Sequence, residues 1–320
     1  MNFSKSTRNL LILLIMSAIT AYFAGCSDSV TTTSMSDNDY LKTVVVGGVG
    51  SSNTEEGDLM SSESSDLDDG GAISDNGDNP ITNLQRWGRR VTNVNVNVNI
   101  SDQGDTIKNV LVTRTITGNY IIIGTVNGNV DTVVKPYTEV LTRTIAFKRI
   151  ARSSTPSQNW KLYQVSMVNA NTTTPEVGTN NITINTVAIL VNGVPTYTFQ
   201  GPNFNQDIFT TKYFGGAGIP EFGRGDQITV VVTVNSNQAD TDYVAWHWAR
   251  NTFGFHRVPF DLISQNGQTR IYQKSITIYS NHRLGVFNGF ISANTRKSLF
   301  DDNTALFSST TVGTVYRITR

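Results

Sequence analysis

The amino-acid sequence predicts an all-β fold built as antiparallel β-sandwiches, and three observations carry that prediction. Apolar and polar residues alternate strictly from Val94 to Ile100 as Val-Asn pairs, the period of a strand with one buried face. Short runs rich in Val, Ile, Thr and Tyr recur through residues 86–320, broken by Asn-Gly turn signals. Helical periodicity is nearly absent, with only residues 294–300 suited to a short turn of helix.

The first strand centres on Val91, Val94, Val96, Val98 and Ile100, with asparagines on the opposite face. Candidate strands follow at 106–117, 120–126, 130–134, 137–150 and 160–168. Asn127-Gly128-Asn129 supplies a hairpin turn, because Asn and Gly tolerate the positive φ that tight turns need. A polar stretch, 169–181, interrupts the pattern. Strands resume at 182–191 and, after an Asn192-Gly193 turn, at 194–200, 227–234, 243–250, 270–280 and 312–319. A division near residue 178 gives two sandwich-like domains, 86–178 and 179–320. One large sandwich is the alternative, since all-β domains reach this length.

Residues 26–85 read as a hydrophilic tether. Ser, Asp, Gly, Asn and Thr dominate, and residues 27–85 hold twelve acidic residues against the single basic Lys42. Such a composition cannot bury enough apolar surface to offset its ordering entropy. Thr43-Val44-Val45-Val46 is the apolar exception and suits an isolated strand.

The first 25 residues have the build of a secretory signal. Lys5 and Arg8 precede the apolar run Leu10-Leu11-Ile12-Leu13-Leu14-Ile15-Met16, and small residues then lead to Cys26. Leu10 to Gly25 is short for a membrane span and contains Ser17 and Thr20. Phe23-Ala24-Gly25-Cys26 resembles the lipobox of bacterial lipoproteins, with Phe23 where the family usually has an aliphatic residue. The resemblance covers 26 residues. It implies that Cys26 becomes the mature N-terminus and carries a diacylglyceryl thioether and an N-acyl chain, palmitate being a usual one. Two or more chains anchor a protein stably where one does not. Ser27, rather than Asp, after the cysteine favours the outer membrane in the enterobacterial version of the family. The expected location is therefore the bacterial cell envelope, with the membrane a partner through the lipid.

Cys26 is the sole cysteine of 320 residues. Once lipidated, it leaves no disulfide, no thiolate nucleophile and no Cys-based metal site, so a hydrophobic core must supply the stability.

Formal net charge is zero, yet residues 86–320 hold 22 Lys and Arg against 13 Asp and Glu. A basic region suits a glycan or another anionic envelope component, but arginines scattered over solvent-facing strands and loosely screened by the acidic tether are the preferred account, and no specific nucleic-acid binding is expected. Trp246 and Trp248 occupy alternate positions of one strand and so share a face about 7 Å apart. They are candidates to stack on a sugar, or to fill a sandwich core beside Val244. His247, His256 and His282 are the only histidines, and with Asp240 and Asp242 they make a metal site conceivable at no recognised spacing. Arg224-Gly225-Asp226 matches an adhesive tripeptide, but it also reads as a turn leading into the strand from Gln227.

No GxSxG elbow, P-loop, dinucleotide fingerprint or zinc-ligand pair occurs. Neither a cofactor, nor a bound metal, nor a catalytic residue is expected. The sequence therefore points to a lipid-anchored envelope protein with a binding or structural role. A carbohydrate- or anionic-glycan-binding module and a hydrolase on a β scaffold are the alternatives.

Overall fold

The computed structural model describes residues 35–47, 67–68, 73–74, 79–251 and 254–320, and the side chains of 67–68, 73–74 and 249–256 lie outside the description. Residues 37–320 form one compact unit. The fold is mostly β, in two sheets whose strands pair antiparallel apart from one short parallel contact.

A helix, α1 (Asp37–Gly47), and two short strands, β1 (Leu67–Asp68) and β2 (Ile73–Ser74), precede three very long strands: β3 (Ile81–Gln103), β4 (Ile107–Val126) and β5 (Asn129–Arg149). These three form a ribbon 20 or more residues long in each strand. Sequence patterning splits β4 at Gly118 and β5 at Pro136, but both strands continue through. Gly118 lies where a side chain is excluded: a Cβ there would stand 2.5 Å from the Arg90 carbonyl oxygen and 3.1 Å from the Tyr137 ring. Pro136 lies just past the end of the pairing between β5 and its next neighbour, where a missing N–H is tolerated.

That neighbour is forked. The far end of β5, Ile145–Arg149, pairs with β6 (Trp160–Ser166), whereas Thr138–Thr142 pair with β7 (Val168–Thr174). The polar run expected to interrupt the strands thus contributes one. β8 (Ile182–Val191), β9 (Val194–Gln200), the short β10 (Ile208–Thr210) and β11 (Glu221–Gly223), and β12 (Gln227–Ser236) follow. Then come β13 (Tyr243–Asn251), β14 (Gly254–Pro259), β15 (Asp261–Asn266), β16 (Thr269–Thr277), β17 (Gly285–Asn294), a short helix Arg296–Phe300 and β18 (Ser309–Thr319). The large sheet runs β1-β3-β4-β5-β7-β18-β17-β13-β14, and the small one β15-β16-β12-β8-β9. The large sheet crosses residue 178, because the last strand, β18, inserts beside β7 through pairs such as Thr311 with Ala170.

Two cores result. In the first, Trp246, Ile291, Val312 and Val315 of the large sheet pack against Ile184, Val187, Val230 and Val232 of the small one. In the second, the large sheet curls on itself and encloses Trp87, Tyr120, Tyr137, Leu141, Phe300 and Phe307. Its two ends approach, with the Arg257 guanidinium of β14 4.5 Å from the Trp87 ring centroid of β3. One face of the ribbon serves both cores: Val110 and Val112 of β4 join the first, Ile116, Tyr120 and Ile122 the second. Period-two alternation therefore persists for twenty residues although the strand passes from one core to another.

Four elements lie or begin inside the segment read as a tether: α1, β1, β2 and β3. β3 begins at Ile81, and Ile81 and Leu84 are fully buried. The run Thr43–Val46 is helical rather than extended, within α1. Tyr40, Leu41, Val44 and Val45 fall on one stripe at helical spacing and join the first core. Asp37 at its start is held by Arg149 at 3.3 Å and by the Asn159 amide at 3.4 Å. Cys26, the apolar leader and residues 48–66, 69–72 and 75–78 lie outside the described residues.

Candidate functional site

The long ribbon positions a groove. In the register of β4, β5 and β7, Thr117 stands opposite Thr138 and Thr138 opposite Thr174, while Asn93 of β3 stands opposite Thr117. A cross-strand row of hydroxyls and an amide thus spans four strands on the outward face. β3 bulges between Val91 and Asn93 at this level, and a bulge bends its sheet locally. At this level lies an open cavity of about 500 Å³, lined by the row's three threonines with Thr92, Asn119, Pro136 and Pro175, by Gly118 and Tyr137 of the inner face, and by the 304–305 loop. The Thr92 hydroxyl donates to the Thr117 carbonyl at 3.0 Å, which leaves its lone pairs as acceptors. No lining residue carries a charge. Such walls offer hydrogen bonds in both senses to hydroxyl groups, and the exposed Arg90 stands opposite Asn119 on the same face.

Several charged side chains are buried on the other face of the same strands. There Arg89 donates to Glu139 at 2.7 Å and to the Ser309 hydroxyl at 3.0 Å, and lies 5.7 Å from the Tyr137 ring centroid. His247 of β13 stacks on Phe290 with centroids 4.2 Å apart, and its Nε2 is 3.0 Å from the Ser292 hydroxyl. Burial, then the charges of Arg257 and Arg89, hold the imidazole well below its ordinary pKa. A neutral histidine beside a serine is the pairing of a base with a nucleophile. Here His247 is 1% and Ser292 3% exposed, so the pair is enclosed by the fold. Lys135 is fully buried on this side, and its ammonium donates to the carbonyls of Lys297 and Leu306, both at 2.9 Å. Desolvation lowers its pKa to about 8.

Each residue singled out in the sequence has a definite place. Trp246 and Trp248 do share a face of β13, with centroids 5.3 Å apart, but that face is turned to the first core: Trp246 is 5% exposed and Trp248 half-buried against the same cluster. His247 stands opposite Arg257 rather than His256, whose side chain lies outside the described residues. Asp240 is exposed, and Asp242 pairs with Arg270, both side chains fully enclosed. Asp242, just before β13, is held by Ser236, Arg270 and Tyr272 of the small sheet rather than by His247. Among the described residues no three His, Cys, Asp or Glu side chains come together as metal ligands. In Arg224-Gly225-Asp226 the carboxylate accepts from the Gly223 N–H at 2.6 Å and the Asn192 amide at 2.9 Å, Gly225 has φ +88°, and the Arg224 Nε donates to the His282 carbonyl. These contacts build the turn.

Much of the positive charge of residues 86–320 is also used by the fold. Lys108 and Arg149 lie over the Trp160 ring, Lys148 over Tyr163 and Lys161 over Tyr213. The groove threonines escape sequence inspection because only register brings them together; the single hint is threonine recurring at outward strand positions.

No protein-family model matches the chain, and no curated protein does. Among solved structures, a GH31 alpha-xylosidase from Xanthomonas citri aligns with 78% of this chain at 8% identity and a TM-score of 0.13. The chain spans about a third of that enzyme's length (34%), and at such a score the alignment carries no argument about fold or activity.

Proposed function

We propose that this protein is a lipid-anchored component of the bacterial cell envelope, tethered through Cys26, and that it binds rather than catalyses. The observation that carries the binding role is the groove at the bend of the ribbon, whose lining includes Thr92, Thr117, Thr138, Thr174 and Asn119 and no charged residue. Its chemistry suits a neutral, hydroxyl-rich ligand such as an oligosaccharide. Location rests on the lipobox-like tetrapeptide 23–26.

Titration calorimetry of the full chain against neutral and uronic-acid oligosaccharides tests the groove. Neutral sugars should bind, and Thr117→Val/Thr138→Val should abolish the heat while leaving the circular dichroism unchanged. Binding confined to acidic sugars, or unaffected by the double substitution, would overturn the assignment. Metabolic labelling with a fatty-acid analogue tests the anchor: wild type should label and Cys26→Ala should not.

A further inference from the structure

The end of the ribbon that holds α1 carries an inference independent of the groove, and it rests on the lipid anchor proposed at Cys26. The compact unit begins at Asp37, whose side chain is tied to Arg149 and Asn159. Cys26 therefore lies only eleven residues before a fixed point of the fold. Eleven residues span at most ~40 Å however they are arranged. The Arg149 end of β5 thus stays within that reach of any bilayer that holds the lipid.

The same end presents an aromatic and basic surface. Lys148 of β5 stands opposite Lys161 of β6, and its ammonium lies 5.3 Å from the Tyr163 ring centroid and 5.5 Å from that of Phe214. Phe214 and Tyr213 belong to a 3₁₀ turn, Lys212–Phe214, that follows β10 and ends on Gly215 and Gly216, both at positive φ (108° and 70°). The rings pack in series, Tyr163 5.1 Å from Phe214 and Phe214 4.8 Å from Tyr213. Tyr213 is nevertheless 63% exposed, and Ile150, just past the end of β5, 44%. Residues 140–163 and 208–220 contain no Asp or Glu, while Arg152 and Lys212 are exposed and Lys148 is half-buried. An ammonium over a ring keeps its other N–H donors for oxygen acceptors.

We infer that this patch is the face on which the fold rests on an anionic membrane surface, with Tyr213, Phe214 and Ile150 in the headgroup region and Lys148, Arg152 and Lys212 against lipid phosphates. A membrane is the occupant because the short span from Cys26 holds this end beside one. The residue types agree: amphipathic rings settle at the level of the headgroups, and lysine stems lie along apolar surface while their ammonium groups reach phosphate. The surface is anionic by charge complementarity, since basic clusters next to a bilayer are drawn to negatively charged lipid. Among the acids that neighbouring segments bring to this end, Asp37 is paired with Arg149 and Asp102 with Lys108. Asp39 and Asp105 lie outside the two segments that build the patch. Lipid and patch then make two contacts with one bilayer, and such paired signals anchor a protein more firmly than either does alone.

Fluorescence of the full chain reconstituted in vesicles tests this. Ala217→Cys, at an exposed position of the loop, takes an environment-sensitive dye, and Asn129→Cys, exposed at the opposite end of β5, takes the same dye as a reference. Cys26 is the sole native cysteine and its lipid blocks it, so each variant should carry one dye. In phosphatidylcholine vesicles containing phosphatidylglycerol, the dye at 217 should emit further to the blue than the dye at 129 and resist quenching by acrylamide. Adding Lys148→Gln/Lys212→Gln should remove most of that shift, with circular dichroism unchanged and flotation retained through the lipid. Equal emission from the two positions, or a shift indifferent to the lysines, would overturn the inference. A shift that grows with protein concentration in detergent would place a second copy on the patch and refute it too. A second dye, at Cys26, would sink the anchor instead. The patch is then decided by the same lysine-dependent shift in Cys26→Ala, whose absence refutes it.

Discussion

Ionisable side chains in this fold are buried as structural parts, and two such sites make distinct predictions. His247 is enclosed beside two arginines and held neutral in the native state. The unfolded chain takes up a proton as pH falls through the ordinary histidine value near ~6.5, while the native site resists, so stability present above that value is lost below it. His247→Gln, which keeps a partner for Ser292 without a titratable ring, should flatten that acid limb. Urea unfolding at pH 5 and 7.5 measures it: wild type should lose stability between the two and the variant should lose less. Asp242 and Arg270 are the second case. Both side chains are fully buried, with Ser236 donating to Asp242 at 2.9 Å and its N–H reaching the Tyr272 hydroxyl at 3.1 Å. Burial pushes the Asp242 carboxyl up against the pull of Arg270. Asp242→Asn should therefore cost about 3–5 kcal/mol by leaving a buried guanidinium uncompensated, whereas Asp242→Leu/Arg270→Met should recover most of it. Chemical denaturation of both variants provides the comparison.

Elements were legible in the sequence where chemistry and period agreed. β8, β9 and their Asn192-Gly193 turn match residue for residue, with positive φ at both turn residues (51° and 81°). The short helix Arg296–Phe300 lies within the predicted 294–300. Long-range pairing hid the rest. Gly118 and Pro136 read as breaks because nothing local reveals that the Tyr137 ring needs the space at Gly118 or that β7 ends beside Pro136. β14, β15 and β17 escaped because their residues do not alternate cleanly; every residue of β15 is exposed. The threonine groove is invisible for the same reason as the strand fork, since both exist only in register. α1 shows tertiary packing overriding composition and propensity: three consecutive valines favour strand, yet Leu41 is fully buried as part of an amphipathic turn. Leu41→Ala should cost about 2–5 kcal/mol and make residues 37–47 the first site of limited proteolysis among the described elements. A fragment starting at Arg86, which also loses the buried Ile81 and Leu84, should be less stable than one starting at Ser36.

The whole molecule is bound together by strands that belong to more than one neighbourhood. β18 is last in the chain yet sits between β7 and β17, so the large sheet cannot form until residues 309–319 have been made. β3, β4 and β5 each line both cores, and among the described residues the small sheet packs on the face of the large one that carries Trp246. Neither half of the chain on either side of residue 178 therefore retains a complete core. This architecture predicts one cooperative transition for residues 37–320 rather than two, since cores sharing strands melt together. Thermal unfolding followed by far-ultraviolet circular dichroism, by tryptophan fluorescence from Trp246 in the first core and Trp87 in the second, and by calorimetry should give coincident midpoints, with equal calorimetric and van't Hoff enthalpies. Trp246→Phe and Trp87→Phe variants assign the fluorescence to each core. Separate midpoints for the two tryptophans would show that the ribbon bends between independently melting bodies, and the shared-strand account of cooperativity would fail.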